Sequence, residues 1–177
     1  MAAQTTHMMA TEDGNVGMPV STIIDQLSPN EGRNAVFIDY LKRLTPNSQY
    51  LIGDTQDADC AIVACSEAWL ERCGYDAGDV IGRDCRHLQG PETDFLAISS
   101  MSAAIRQEGT CATSIVNYHA DGSKFRNDFI MCPLLAPGGE TRYFISVHKS
   151  APALDWSLGP PPHPNIRDHF LGEVAIA

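Results

Sequence analysis

Gly82-Arg83-Asp84-Cys85-Arg86-His87-Leu88-Gln89-Gly90-Pro91-Glu92-Thr93-Asp94 is the stretch on which the fold of this 177-residue chain turns. It sets one thiol between a glycine turn and a following amphipathic segment, with an arginine beside it and an amide side chain four positions on. A structural cysteine belongs in apolar surroundings, whereas a reactive one needs polar or cationic neighbours and access. The residues around Cys85 favour reactivity without naming the chemistry, and an inert packing thiol is the competing reading.

Working outward, Ile98, Met101 and Ile105 fall on one face of a helix predicted over Asp94 to Gln107, with Asp94 as its amino-terminal cap. Strands are predicted at Cys111–Tyr118 and Lys124–Leu134, joined by Ala120-Asp121-Gly122-Ser123, and at Thr141–Lys149 after Pro137-Gly138-Gly139. Upstream, Tyr50–Gly53 and Ala61–Cys65 read as a hairpin-like pair around the polar loop Asp54–Asp59. Glu67–Cys73 and Ala77–Val80 are short helical pieces, closed by Gly74 and Gly82. The order implies an α+β domain with a five-stranded antiparallel sheet, polar on one side and covered on the other.

Side chains alternate along a strand, so period two assigns faces. Asn127, Phe129 and Met131 share one face, as do Phe144, Ser146 and His148, and as do Ile115 and Asn117. Amides and an imidazole among Phe and Met on a covered face need partners, because an unpaired buried polar group costs about 1–3 kcal/mol. Either they bond one another and the backbone, or a flat, polar-edged ligand lies between sheet and helices.

The flanks divide the chain further. Residues 1–30 are expected to form a flexible arm. Within 31–48 a cap helix is predicted over Glu31–Leu44, entered at Ser28-Pro29-Asn30-Glu31 and ended before Pro46. Its stripe of Val36, Phe37, Tyr40, Leu41 and Leu44 must pack on the domain, residues 49–150, or on another chain. Residues 151–177 form a Pro-rich, irregular tail with a turn or two expected at Asn165–Gly172.

Twelve basic residues against 22 acidic ones give a net charge of −10, which argues against a nucleic-acid or anionic-membrane surface. No run approaches the roughly 18 apolar residues of a membrane span, and the polar amino terminus is unlike a signal peptide, so a cytoplasmic protein is expected. The six cysteines include no C-x-x-C pair and no histidine at ligand spacing, so reduced thiols and no metal are expected.

The opening run also resembles the flavin-adduct motif of LOV (light-oxygen-voltage) domains, Gly-Arg-Asn-Cys-Arg-Phe-Leu-Gln-Gly-Pro-Glu-Thr-Asp, a branch of the PAS superfamily. It departs from that motif at Asp84 and His87. The likeness continues through Asn117-Tyr118-His119-Ala120-Asp121-Gly122 to Phe125 and Asn127, and upstream through Ser66-Glu67-Ala68-Trp69-Leu70 and Cys73-Gly74-Tyr75. It implies a PAS/LOV fold whose short helices cover a flavin pocket, with flavin mononucleotide (FMN) as the cofactor. It further implies that Cys85 adds reversibly to flavin carbon C4a under blue light.

By the same resemblance, Asn117, Asn127 and Gln89 meet the pyrimidine edge, while Leu51, Leu88, Ile98, Met101, Ile105, Phe129, Met131 and Phe144 line the ring. Asp84 adjoins the thiol and, as a like charge, should keep it protonated. Arg86 matches a phosphate ligand; the second family arginine falls at Ser102, with Arg106 one turn on as a substitute. Gly53 and Cys60 replace the usual Thr and Asn. No insertion follows Gln89 to admit FAD, and riboflavin stays an open alternative.

His148 stands where the family has a glutamine that senses N5. A histidine titrating near neutrality there is expected to report on N5, help remove its proton, and make adduct decay pH-dependent. Output is expected through the sheet and the amino-terminal helix, by self-association (a homodimer through either element) or by docking an unidentified signalling partner. The competing readings are a light-insensitive PAS flavin redox or ligand sensor, and a small flavoenzyme. The enzyme reading lacks any dinucleotide glycine fingerprint, so no enzyme is expected.

Overall fold

The computed structural model describes residues 11–149 apart from 13, 30 and 108; the Pro-rich tail and the turns expected in it lie outside the described residues. The elements are β1 (Asn15–Gly17), α1 (Val20–Ile24), α2 (Gly32–Lys42), β2 (Tyr50–Asp54), β3 (Ile62–Ser66), α3 (Glu67–Cys73) and α4 (Ala77–Val80). A 3-10 turn (Cys85–Leu88), α5 (Phe95–Arg106), β4 (Cys111–Tyr118), β5 (Lys124–Leu135) and β6 (Thr141–His148) complete the order. The antiparallel sheet runs β1-β3-β2-β6-β5-β4, so the two ends of the domain meet centrally where β2 pairs with β6.

Two expectations change here. The sheet has six strands, because Asn15–Gly17 of the expected flexible arm pairs with Ala64–Ser66 on the β3 edge. Three residues carry no readable period, and their placement rests on tertiary contacts. Tyr50 Oη donates to Asn15 Oδ1 at 2.6 Å, and Asn15 Nδ2 donates to the Met18 carbonyl at 3.1 Å. Gly17, at φ +95°, lies so close to the Val63 carbonyl that a Cβ would sit 2.4 Å from it.

The sheet is also covered on both faces, not polar on one. On the outer face Ile23, Leu27, Phe37 and Leu41 from the amino-terminal segment pack on Ile130, Cys132, Leu134, Tyr143, Ile145 and Val147. The reason is legible in β5, where every residue from Asn127 to Leu134 is buried, the near-continuous pattern of a strand covered on both sides. Of the predicted α2 stripe, Phe37 and Leu41 are buried, whereas Val36 is turned outward.

Asn34 pins α2 to the sheet. Fully buried, its Nδ2 donates to the carbonyls of Ser28 (2.8 Å) and Leu135 (2.7 Å), and its Oδ1 accepts from Leu135 N (2.9 Å). Truncation would strand the Ser28 carbonyl and the Leu135 N–H in an apolar layer, while the Leu135 carbonyl keeps the bond from Ser28 N (2.8 Å), at about 1–3 kcal/mol for each group left unsatisfied. Asn34→Ala is therefore expected to lower unfolding free energy by about 2–4 kcal/mol in denaturant titrations, with loss below 1 kcal/mol contradicting the role.

Local signals set the inner-face helices. Ser66 Oγ accepts from Trp69 N to start α3, and Gly74, at φ +73°, ends it. Asp94 caps α5 through Leu96 N, and Asp84 caps the 3-10 turn through Arg86 N at 2.7 Å.

Candidate functional site

Between the inner face of the sheet, the 3-10 turn and α5 lies a cavity of about 390 Å³, within the roughly 300–1,000 Å³ typical of small-molecule sites. Every residue expected at the site borders it. Leu51 comes from β2, and Asp84, Cys85, Arg86, Leu88 and Gln89 from the turn and its ends. Ile98, Met101, Ile105 and Arg106 come from α5, and Asn117 from β4. Asn127, Phe129 and Met131 come from β5, and Phe144 and His148 from β6. Ile98, Met101 and Ile105 are only half-buried, since the face they share looks into this space. Ala58, Asp59 and Ile62 also border the cavity and were not expected; the first two sit in an aperiodic polar loop.

The buried polar side chains form a directed chain. Asn117 Nδ2 donates to the Leu88 carbonyl at 3.1 Å, and Asn127 Nδ2 donates to Asn117 Oδ1 at 2.9 Å. Asn127 Oδ1 lies 2.8 Å from His148 Nδ1, and His148 Nε2 lies 3.0 Å from Ser146 Oγ. With Asn127 Oδ1 accepting, His148 carries its proton on Nδ1 and its Nε2 accepts from Ser146. Desolvation, aided by the positive Arg72, pushes the His148 pKa down to about 3. The expectation of a histidine titrating near neutrality is corrected by this burial: the ring is a neutral base across the physiological range.

Cys85 is exposed and borders the cavity. Desolvation first, then Cys60 and Asp84, raise its pKa to about 12, so it is a thiol at neutral pH, as the adjacent acid implied. Asp84 itself is held below the usual carboxylate range, foremost by its hydrogen bond from Arg86. The Gly53 and Cys60 departures compensate one another: a Cβ on residue 53 would lie 2.7 Å from Cys60 Sγ, and Cys60 adopts φ +55°. His87 packs, with its ring edge-on to Tyr75 at 5.1 Å and Nδ1 2.6 Å from the Asp84 carbonyl. Gly90 leaves room for Tyr118, whose ring carbon would approach a Cβ to 2.3 Å.

An α+β domain with a ligand-sized cavity on a six-stranded antiparallel sheet defines the class, and comparison with known proteins gives the family. The PAS domain profile matches residues 48–150. Phototropin-2 of Oryza sativa subsp. japonica is 36% identical over 107 residues, 60% of this chain and 12% of the plant protein. The blue-light-activated histidine kinase of Rhizobium johnstonii is 37% identical over 95 residues, 54% of this chain and 28% of the kinase. The match therefore spans well under a third of the length of these curated relatives.

Among solved structures, the light-state Aureochrome1 LOV domain superposes with a TM-score of 0.57 at 32% identity, over 59% of this chain and 81% of that one. The LOV domain of the Erythrobacter litoralis EL346 blue-light-activated histidine kinase gives 0.55 at 33%, over 58% and 94%. The chain belongs to the PAS family and, within it, to the LOV domains. Among the described residues no helix is long and apolar enough to cross a membrane.

Proposed function

We propose that this protein is a blue-light photosensor that holds a flavin in the cavity and captures it reversibly through Cys85 when illuminated. The observation that carries the reading is that one cavity is bordered both by a protonated thiol and by the Asn117–Asn127–His148 hydrogen-bonding chain. Its residues fit the group. Leu51, Ile98, Met101, Phe129, Met131 and Phe144 offer an apolar slot, and the two asparagines and Gln89 supply the donors and acceptors a pyrimidine edge requires. FMN is the ligand the resemblance implies, and riboflavin presents the same ring.

When bound and excited, the flavin supplies an electrophilic carbon, C4a, and a basic nitrogen, N5. Cys85 supplies the remaining partners in balance, its sulfur to the carbon and its proton to the nitrogen. A thiol carries that proton at neutral pH, and desolvation, which raises the Cys85 pKa to about 12, holds it there more firmly. His148, a neutral base, then serves as the group that registers the change at N5 and, on recovery, would relay the N5 proton back to the Cys85 sulfur as the carbon–sulfur bond breaks. Arg72 carries the signal outward: from near His148 it donates to Gln49 Oε1 (3.0 Å) and to the Lys149 (2.7 Å) and Arg126 (2.7 Å) carbonyls. Those bonds join both ends of the sensor domain, so movement there alters docking of the amino-terminal cap, self-association or a signalling partner.

The test is an absorption spectrum of the purified protein before and after blue illumination. A structured band near the blue that bleaches in light and returns in darkness is the expected result. A colourless protein removes the flavin reading, and colour that persists through illumination favours a light-insensitive flavin sensor instead.

A further inference from the structure

We infer that the mouth of the cavity discriminates against the phosphate of FMN, so that riboflavin is held at least as tightly as its phosphate ester. The inference rests on the flavin reading and narrows it.

Arg86 is the arginine that should meet the phosphate, and it is already engaged. Its Nη2 lies 2.6 Å from Asp59 Oδ1 and 2.7 Å from Asp84 Oδ2. Both carboxylates border the cavity, and the Arg86 and Asp59 side chains are 65% and 64% exposed, which puts the cluster at the opening. Asp84 is anchored there, because its other oxygen accepts Arg86 N at 2.7 Å and caps the 3-10 turn. The carboxylate cannot swing aside for an anion without uncapping the segment that carries Cys85.

Exposed ion pairs are individually weak, so the exclusion does not depend on the strength of these two bridges. It depends on sign. One guanidinium faces two carboxylates, so an arriving phosphate meets a locally negative cluster. On α5, where the resemblance calls for a second arginine, the neutral Ser102 borders the cavity. Arg106 is the other cation bordering the cavity, so the charges of its lining, Arg86 and Arg106 against Asp59 and Asp84, cancel. A dianion gains little from a neutral, partly repulsive rim, whereas phosphate recognition relies on uncompensated donors in a fork geometry. The hydroxyl end of an unphosphorylated ribityl chain suits the same rim, since carboxylates accept from hydroxyls and Ser102 both donates and accepts.

The experiment strips flavin from the full chain and titrates it separately with riboflavin and with FMN at neutral pH, following quenching of flavin fluorescence. In the wild-type protein the ratio Kd(FMN)/Kd(riboflavin) is expected at or above one, falling toward one with added salt as screening weakens the repulsion. Asp59→Asn, alone and with Asp84→Asn, which keeps a capping side-chain oxygen, is expected to lower the ratio tenfold or more, chiefly by tightening FMN. An unchanged circular dichroism spectrum and thermal midpoint report an intact fold. Arg86→Gln in the wild-type background leaves both carboxylates unpaired at the rim and should raise the ratio further. A wild-type preference for FMN above threefold, or a ratio indifferent to Asp59→Asn, overturns the inference and leaves the flavin reading standing. A folded protein that takes up neither flavin overturns both.

Discussion

Cys85→Ala is expected to yield a protein that still takes up flavin but whose blue absorption no longer bleaches in the light. The effect is all-or-none, because no other group in the cavity combines the nucleophile and proton of Cys85 with its placement on the turn beside Gln89. The nearest competitor is Cys60, a second thiol on the cavity wall, with its own pKa raised to about 11, chiefly by burial. Neither sulfur is a thiolate at neutral pH, so acidity does not choose between them; position does. Cys60 sits at φ +55° with its sulfur against Gly53, on the β2–β3 side. Cys60→Ala is therefore expected to keep reversible bleaching, and Cys85→Ala to abolish it, at comparable flavin loading. Bleaching that survives in Cys85→Ala, or that disappears only in Cys60→Ala, would reassign the nucleophile.

Much of this cavity was legible because two simple periods decide it. Alternation along β4, β5 and β6 put Asn117, Asn127, Phe129, Met131, Phe144 and His148 on one face, and all of them border the cavity. Helical spacing did the same for Ile98, Met101 and Ile105. What the chain did not disclose is held by contacts distant in sequence. Asp59 belongs to a polar loop and meets Arg86 only because the β2–β3 connection folds over the 3-10 turn, 27 residues away. Strand β1 is three residues long and exists through Tyr50 and the β3 edge. The covered outer face is written in the apolar run of β5, whereas period-two alternation marks only the inner one. The identity of His148 was plain and its protonation state was not, because that depends on burial beside Trp69 and Phe129, at ring separations of 6.0 and 5.1 Å.

That protonation state leads to the second large expected effect, a stability that declines with acid through one residue. In the unfolded chain His148 takes up a proton as pH falls through its ordinary value of 6.5, while the folded protein keeps the ring neutral down to about 3. Between those limits the unfolded state binds one proton more, so stability rises with pH and is lost on acidification. The slope is about 1.4 kcal/mol per pH unit, or about 2 kcal/mol lost between pH 6.5 and 5. Denaturant unfolding at both pH values should show this loss in the wild-type protein and not in His148→Gln. The same neutrality governs recovery in the dark. Above pH 6 the ring is an unprotonated base throughout, so its titration leaves no inflection in the recovery rate between pH 6 and 9. His148→Gln removes that base; because a group with a pKa of about 3 is a weak proton acceptor at neutral pH, recovery is expected to slow, by no more than about tenfold. Recovery of the glutamine variant at the wild-type rate would reduce His148 to a packing residue between Trp69 and Phe129. Superimposable acid-stability curves for the two proteins would show that the folded ring does not stay neutral.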